Sequence, residues 1–218
     1  MSIKSILKKS TFLRKSVERF RFYKKQFKNR GAAKIFVEKA DEVISDFHRI
    51  LSKSNLPYFL DAGTLLGIYR DGHLLKRDMD VDTGVIVSSP KDIDTVRELL
   101  TNAGFELKIE FSIPNRGIIQ DAYDYKGVRV DVCYFLNEGD KTICHILFGH
   151  DDIMKLSVSK FNSIVEFDYN NQKIHIPENT DQYLTEKYGN WRQPDPLWKY
   201  WEGACVTKVE GKGVTKFI

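Results

Sequence analysis

The sequence predicts an α+β domain, a mixed β-sheet flanked by helices, preceded by a basic helical arm. Three observations predict it. Apolar residues recur at helical spacing in Lys34–Ser54 and again after Ser89-Pro90. From Phe105 onward, short β-forming runs follow one another between turn residues. Residues 1–34 carry twelve Lys or Arg and one acid, Glu18, so they hold a net charge of +11. The boundaries predicted are an arm over residues 1–34 and one domain over 35–218.

The elements follow in order. Ile35, Phe36, Ala40, Val43, Ile44, Phe47 and Leu51 form one apolar stripe, a helix that covers the sheet. Pro57–Asp61 is a short strand leading into a turn at Gly63. Gly63–Tyr69 starts a helix, with Thr64 able to cap it. Met79–Val87 is a strand. Ser89 caps a helix with Pro90 at its first position, and Gly104 ends it. Phe105–Phe111, Gly117–Tyr125 and Lys126–Asn137 are strands, and Thr142–Phe148 is a further candidate. Asn170-Asn171 joins Val165–Asp168 to Lys173–Ile176 as a hairpin. Glu178–Tyr188 is a helix ended by Gly189. The Gly- and Lys-rich tail from Gly203 is expected to fray.

Composition narrows the class. A chain of 218 residues with 42% hydrophobic content builds one real core. It has no run of 18 apolar residues, so no membrane-spanning helix is expected. No secretory leader is expected either. Cys133, Cys144 and Cys205 lack zinc spacing, and an odd count without a framework fits a reducing cytoplasm.

The chemistry lies between Phe59 and Gly84. Asp78, Asp80 and Asp82 alternate, which puts three carboxylates on one face of a strand. Carboxylates so crowded repel one another unless a hard cation joins them, and Mg²⁺ or Mn²⁺ with phosphate is the usual combination. The Gly63 turn offers a helix N-terminus to an anion. The bland alternative is the wet face of an edge strand. Asp131 sits among valines in a strongly β-forming run, Val128–Phe135. It either joins the same metal or faces solvent while Val130 and Val132 face the core. Asp78 contacts acceptor or caps the strand's start, and Asp61 orients the turn or contacts donor. Arg70, Lys76 and Arg77 are the nearby cations, and Arg grips phosphate at two points. His73 is a candidate base or merely exposed, and Trp191 packs or stacks. Asp121 and Asp124 read as solvated strand positions.

The stretch Leu60-Asp61-Ala62-Gly63-Thr64-Leu65-Leu66-Gly67 with Arg70, followed by Asp78, Asp80, Val81, Asp82 and Gly84, resembles the signature of the LicD/fukutin family, W-L-D-G-G-T-L-L-G-x-x-R then P-W-D-D-D-I-D-I-G. About 100 residues on, Tyr183-Leu184 and Tyr188-Gly189-Asn190-Trp191 resemble its closing Y-L-x-x-x-Y-G-x-W. The chain departs at Lys76-Arg77 and at Met79. The resemblance implies a nucleotidyltransferase-like fold whose third carboxylate lies on a neighbouring strand, as Asp131 would. It also implies metal-dependent transfer of a phosphorylated alcohol, phosphocholine or a polyol phosphate, from a CDP-activated donor to a glycan or lipid-linked glycan. On this reading Asp80, Asp82 and Asp131 hold metal and act in catalysis, and Asp131 is also a candidate base. Gly63, Thr64, Arg70, Asp61, Asp78 and Arg77 bind substrate. The alternatives are nucleotidyl transfer from an NTP and an inactive lipid- or nucleic-acid-binding protein.

In the arm, Ile3, Ile6, Leu7, Leu13, Val17, Phe20 and Phe27 make a helical stripe among cations. This reads as a peripheral element on an anionic membrane, at the inner face. Packing on the domain or a partner is the alternative, and nucleic acid is not expected as a partner.

Overall fold

The structure is a computed structural model that describes residues 30–76, 78–195 and 198–218. The arm's apolar stripe lies outside the described residues, which take in only residues 30–34 of the arm. Helix α1 spans Arg30–Leu51. Its buried face is Phe36, Ala40, Val43, Ile44, Phe47, Ile50 and Leu51, and Ile35 lies outside that face. Burying each large apolar side chain favours folding by roughly 1.5–3 kcal/mol.

Strand β1 (Tyr58–Leu60) leads into α2 (Ala62–Asp71), which stops at Gly72 in the left-handed region. Strand β2 covers Asp80–Ile86. Helix α3 (Pro90–Asn102) begins as the Ser-Pro signal predicts, and the Asp92 carboxylate accepts the Ser89 N–H at 3.0 Å. A meander follows: β3 (Glu106–Ile113), β4 (Gly117–Tyr125), β5 (Val128–Glu138), β6 (Lys141–Phe148) and β7 (Asp152–Ser159). The hairpin β8 (Ile164–Tyr169) and β9 (Gln172–Pro177) turns at Asn170 and Asn171, both with positive φ. Helix α4 is Thr180–Tyr188. A short 3-10 turn at Tyr200–Glu202 precedes β10 (Val206–Lys212) and β11 (Val214–Phe217).

The tail expected to fray is therefore two strands. Its Val and Thr residues pair on both sides: β10 with β7 and β11 with β3. Only Gly213 separates the two strands. The sheet order runs β10-β7-β6-β5-β4-β3-β11, and the chain itself joins the two ends at Gly213, a ring closed by covalent connection with no β10–β11 pairing among the described residues. A side chain at 213 would sit 2.3 Å from Leu147 and 2.9 Å from the Ser112 carbonyl, so the crossing needs glycine. Strand β5 is the branch point. It pairs antiparallel with β4 and β6, and parallel with β2, which carries β1 on its other edge. The sheet is mixed, as expected.

Asp121 corrects an expectation. It is fully buried, not solvated. Arg97 of α3 holds it through Nε and Nη2 at 2.7 and 2.6 Å, and the Tyr134 hydroxyl donates at 2.7 Å.

Candidate active site

The parallel pairing of β2 with β5 sets Asp82 directly beside Asp131, and Asp80 beside Arg129. One oxygen from each of Asp80, Asp82 and Asp131 lies within 4.8 Å of the other two. Asp131 thus faces the acidic cluster rather than solvent. Burial, reinforced by Asp131, pushes the Asp80 carboxyl up to about 7. Burial and the neighbouring Asp80 push Asp82 well above the ordinary carboxylate range. Asp78 is raised to about 6 by burial, and its Oδ2 has no hydrogen-bond partner. A side chain at Gly63 would lie 2.4 Å from that oxygen, so glycine there leaves room for Asp78.

The first turn of α2 braces this strand. Gly63 N–H donates to Asp82 Oδ2 at 3.1 Å. The Asp82 N–H donates to Thr64 Oγ1 at 2.9 Å, and Thr64 is fully buried. Both groups therefore hold Asp82 instead of presenting donors to a phosphate. Arg70 is also engaged. Its guanidinium bridges Asp71 at 2.9 and 2.8 Å and reaches the Trp191 carbonyl at 3.2 Å, which ties the turn after α4 to α2. Arg77 lies outside the described residues. His73 is exposed. Trp191 packs: its ring meets Tyr69 at 5.6 Å and its indole N–H donates to Thr185 Oγ1 at 3.2 Å.

Two cavities meet at the carboxylates. The smaller, about 350 Å³, is lined by Asp61, Asp78, Asp80, Asp82 and Asp131, then runs past Gln120 and Cys133 to apolar residues of the ring such as Phe111 and Leu156. The larger, about 940 Å³, shares Asp78 and Asp82 and is walled by Arg70, Lys76, Tyr188, Trp191 and Trp198. Tyr188 and Trp198 hold their rings 4.5 Å apart.

A model for the LicD/FKTN/FKRP nucleotidyltransferase domain matches residues 55–179, more than half of the chain. The chain belongs to this family. Ribitol-5-phosphate transferase FKTN of Homo sapiens is 27% identical over 183 residues, covering 79% of this chain and 37% of that protein. The mouse protein of the same name is 26% identical over 179 residues, 77% of this chain and 36% of its own. An uncharacterized protein of Rickettsia typhi is 22% identical over 151 residues, 69% of this chain and 45% of its own. The chain thus spans little more than a third of the length of the transferases it matches.

Some residues of this LicD-family site escaped the sequence reading. Arg129 donates to Asp131 from Nε at 2.8 Å and from Nη2 at 3.0 Å, fixing that carboxylate. Its spacing of two from Asp131, on the same strand face, was the available signal. Lys187 lines the smaller cavity and is 2% exposed. A lysine in a short polar helix reads as solvated, so nothing marked it. Ala62 has φ +43°, in the left-handed region, where the family pattern quoted above has glycine.

Proposed function

We propose that this domain moves a phosphorylated alcohol from a CDP-linked donor to a glycan hydroxyl in cell-surface polysaccharide synthesis. The convergence of Asp80, Asp82 and Asp131 at the junction of two cavities carries the reading. The ribitol-phosphate transfer named for the relatives supports it. So does the parallel β2–β5 pair that bears the carboxylates, which is what a nucleotidyltransferase-like fold would require.

The donor set fits a divalent cation. All three ligating groups are oxygens, and their crowding raises the cost of ionising them without one. Such a set suits Mg²⁺ or Mn²⁺. When bound, the ion would neutralise phosphate charge. Arg129 holds Asp131 in place for that task, and Gly63 with Thr64 does so for Asp82. The acceptor oxygen attacks the phosphorus that carries the alcohol. A new P–O bond forms, the bond to CMP breaks, and CMP leaves with that electron pair. Both Asp131 oxygens are engaged by Arg129. Asp78 borders both cavities and has a carboxylate oxygen with no hydrogen-bond partner, so this residue is the better acceptor for the hydroxyl proton. The rings of Trp198 and Tyr188 offer the donor base a face to stack on.

The test is turnover of CDP-ribitol, CDP-glycerol and CDP-choline against a glycan acceptor, with products read by phosphorus NMR. CMP release that stops with EDTA and returns with Mg²⁺ or Mn²⁺ is expected. Pyrophosphate release from CTP instead would assign nucleotidyl transfer. Absence of metal-dependent donor binding would assign a non-catalytic role.

We place the protein at the inner face of a membrane through residues 1–34. Their net charge of +11 and apolar stripe suit anionic lipid. None of the described helices is long and apolar enough to cross a bilayer. Co-sedimentation with anionic vesicles should weaken as salt rises and disappear on removal of residues 1–29. Equal, salt-insensitive sedimentation of both forms would refute the anchor.

A further inference from the structure

Asp61 stands at the N-terminal boundary of α2, where a carboxylate ordinarily caps first-turn N–H groups. It makes no such bond. Its Oδ1 accepts from Lys187 Nζ at 2.7 Å and from the Tyr183 hydroxyl. Lys187 Nζ also donates to Tyr183 Oη at 2.9 Å. All three residues are buried, Lys187 most completely among the lysines described. Burial is the largest single influence and works against its charge, but Asp61 together with the surrounding Tyr183, Tyr188 and Tyr200 outweighs it and holds the ammonium well above its ordinary value.

Such a pair is a weak device for stability, because desolvation offsets most of the attraction. Its location gives it another use. Lys187 and Asp61 line the smaller cavity with Asp78, Asp80, Asp82 and Asp131. That wall must accept a diphosphate despite five aspartates. Arg129 is the other cation on it, and its guanidinium is already clasped to Asp131. Lys187 gives two of its three N–H groups to Asp61 and Tyr183, which leaves one to point at a ligand. The backbone N–H of Asp61 donates to the Asp82 carbonyl at 3.0 Å, so the ammonium is tied through one residue to the strand that bears the carboxylates.

We propose that Lys187 is a catalytic residue whose ammonium contacts the non-bridging oxygens of the phosphoryl group in transfer. The proposal rests on the phosphotransfer reading above. As the bond from phosphorus to the CMP oxygen breaks and the bond to the acceptor oxygen forms, negative charge on those oxygens is met by a fixed cation. No proton need leave Lys187. A preorganised donor of this kind contributes to the rate because it does not reorganise during the reaction.

Lys187→Met keeps the length and removes the charge. Its kcat at saturating donor should fall at least about a hundredfold, as for loss of one preorganised donor, with a smaller change in the KM for donor. Lys187→Arg should retain a larger share. A folded Lys187→Met protein with kcat within about threefold of native would overturn the proposal. The double variant Asp61→Asn with Lys187→Met separates the structural duty. Its melting temperature should recover toward native while turnover stays low, and recovered turnover would leave Lys187 a structural partner only. If Lys187→Met does not fold, the double variant and Lys187→Arg decide. If the native protein turns over none of the CDP donors, the phosphotransfer reading fails, and Lys187 is judged by calorimetry with Mn²⁺ and inorganic pyrophosphate. At least about tenfold weaker binding in Lys187→Met supports the phosphate contact, and equal affinity overturns it.

Discussion

Thr64 Oγ1 accepts the backbone N–H of Asp82 at 2.9 Å, joining the start of α2 to the strand that carries Asp80 and Asp82. The bond is side chain to main chain, and Thr64 is fully buried. Thr64→Val preserves shape but orphans that N–H. The loss should cost about 1–3 kcal/mol, or a melting temperature lower by roughly 2–4 °C per kcal/mol. Turnover should fall more than the stability loss explains, because Asp82 loses its register. Unchanged turnover in the folded variant would show that the brace is not needed.

Ala62 carries a left-handed backbone, φ +43°, immediately before the brace. Its Cβ makes that conformation unfavourable by roughly 1 kcal/mol. Ala62→Gly should therefore raise the urea midpoint without harming activity. A lower midpoint would mean that the methyl group's contacts outweigh the strain.

The raised carboxyl of Asp80 has a stability consequence whose sign is opposite to that of a salt-bridged aspartate. Its native value, about 7, lies above the ordinary aspartate value of 3.8. The unfolded chain ionises first, so stability is lost as pH rises from about 4 to about 7 and then levels off. Asp80→Asn stays neutral and escapes this loss. In metal-free buffer the variant should melt on the order of 5 °C above native at pH 7.5 and close to native at pH 4.5. Parallel melting curves across that range would contradict the crowding of the carboxylates.

Arg97 anchors the buried Asp121 from the helix side of the sheet. Arg97→Met strands a buried carboxylate and should cost about 3–5 kcal/mol. Below its melting temperature the variant should retain most turnover, since Asp121 and Asp131 lie on neighbouring strands at opposite faces. An equally large fall in kcat would show that the two faces are coupled.

Much of the site could be read from the chain because strands alternate strictly. Asp80 and Asp82 had to share a face, and the run Val128–Phe135 had to be a strand. The orientation of Asp131 could not be read, since alternation fits either face. It is settled by the register that pairs Asp82 with Asp131, a relation between segments about fifty residues apart. Thr64 and Gly63 were recognised as a functional turn but assigned outward-facing donors, because a helix N-terminus is open until something packs against it. Here β2 does. Lys187 was hidden for a different reason. A charged residue looks solvated in sequence, and only the convergence of α4 on the smaller cavity buries this one. The closing strands were hidden by their lysines: Lys208, Lys212 and Lys216 are exposed, yet they take their places in the ladders beside Val206, Val209 and Val214.

The ring has a seam. Ile109 of β3 pairs with Phe217 of β11, more than a hundred positions later in the chain. Contacts so remote form late, because the entropy of closing the intervening loop is lost before they form. The strands that carry the carboxylates have no such delay, since β2 and β5 lie within the first 138 residues. During synthesis the acidic cluster can therefore assemble while the apolar chamber beneath it is still unsealed and β3 still presents a bare edge. Cutting the chain at Gly213 would hold it in that state, with its acidic cluster in place and a sticky flank open to other chains.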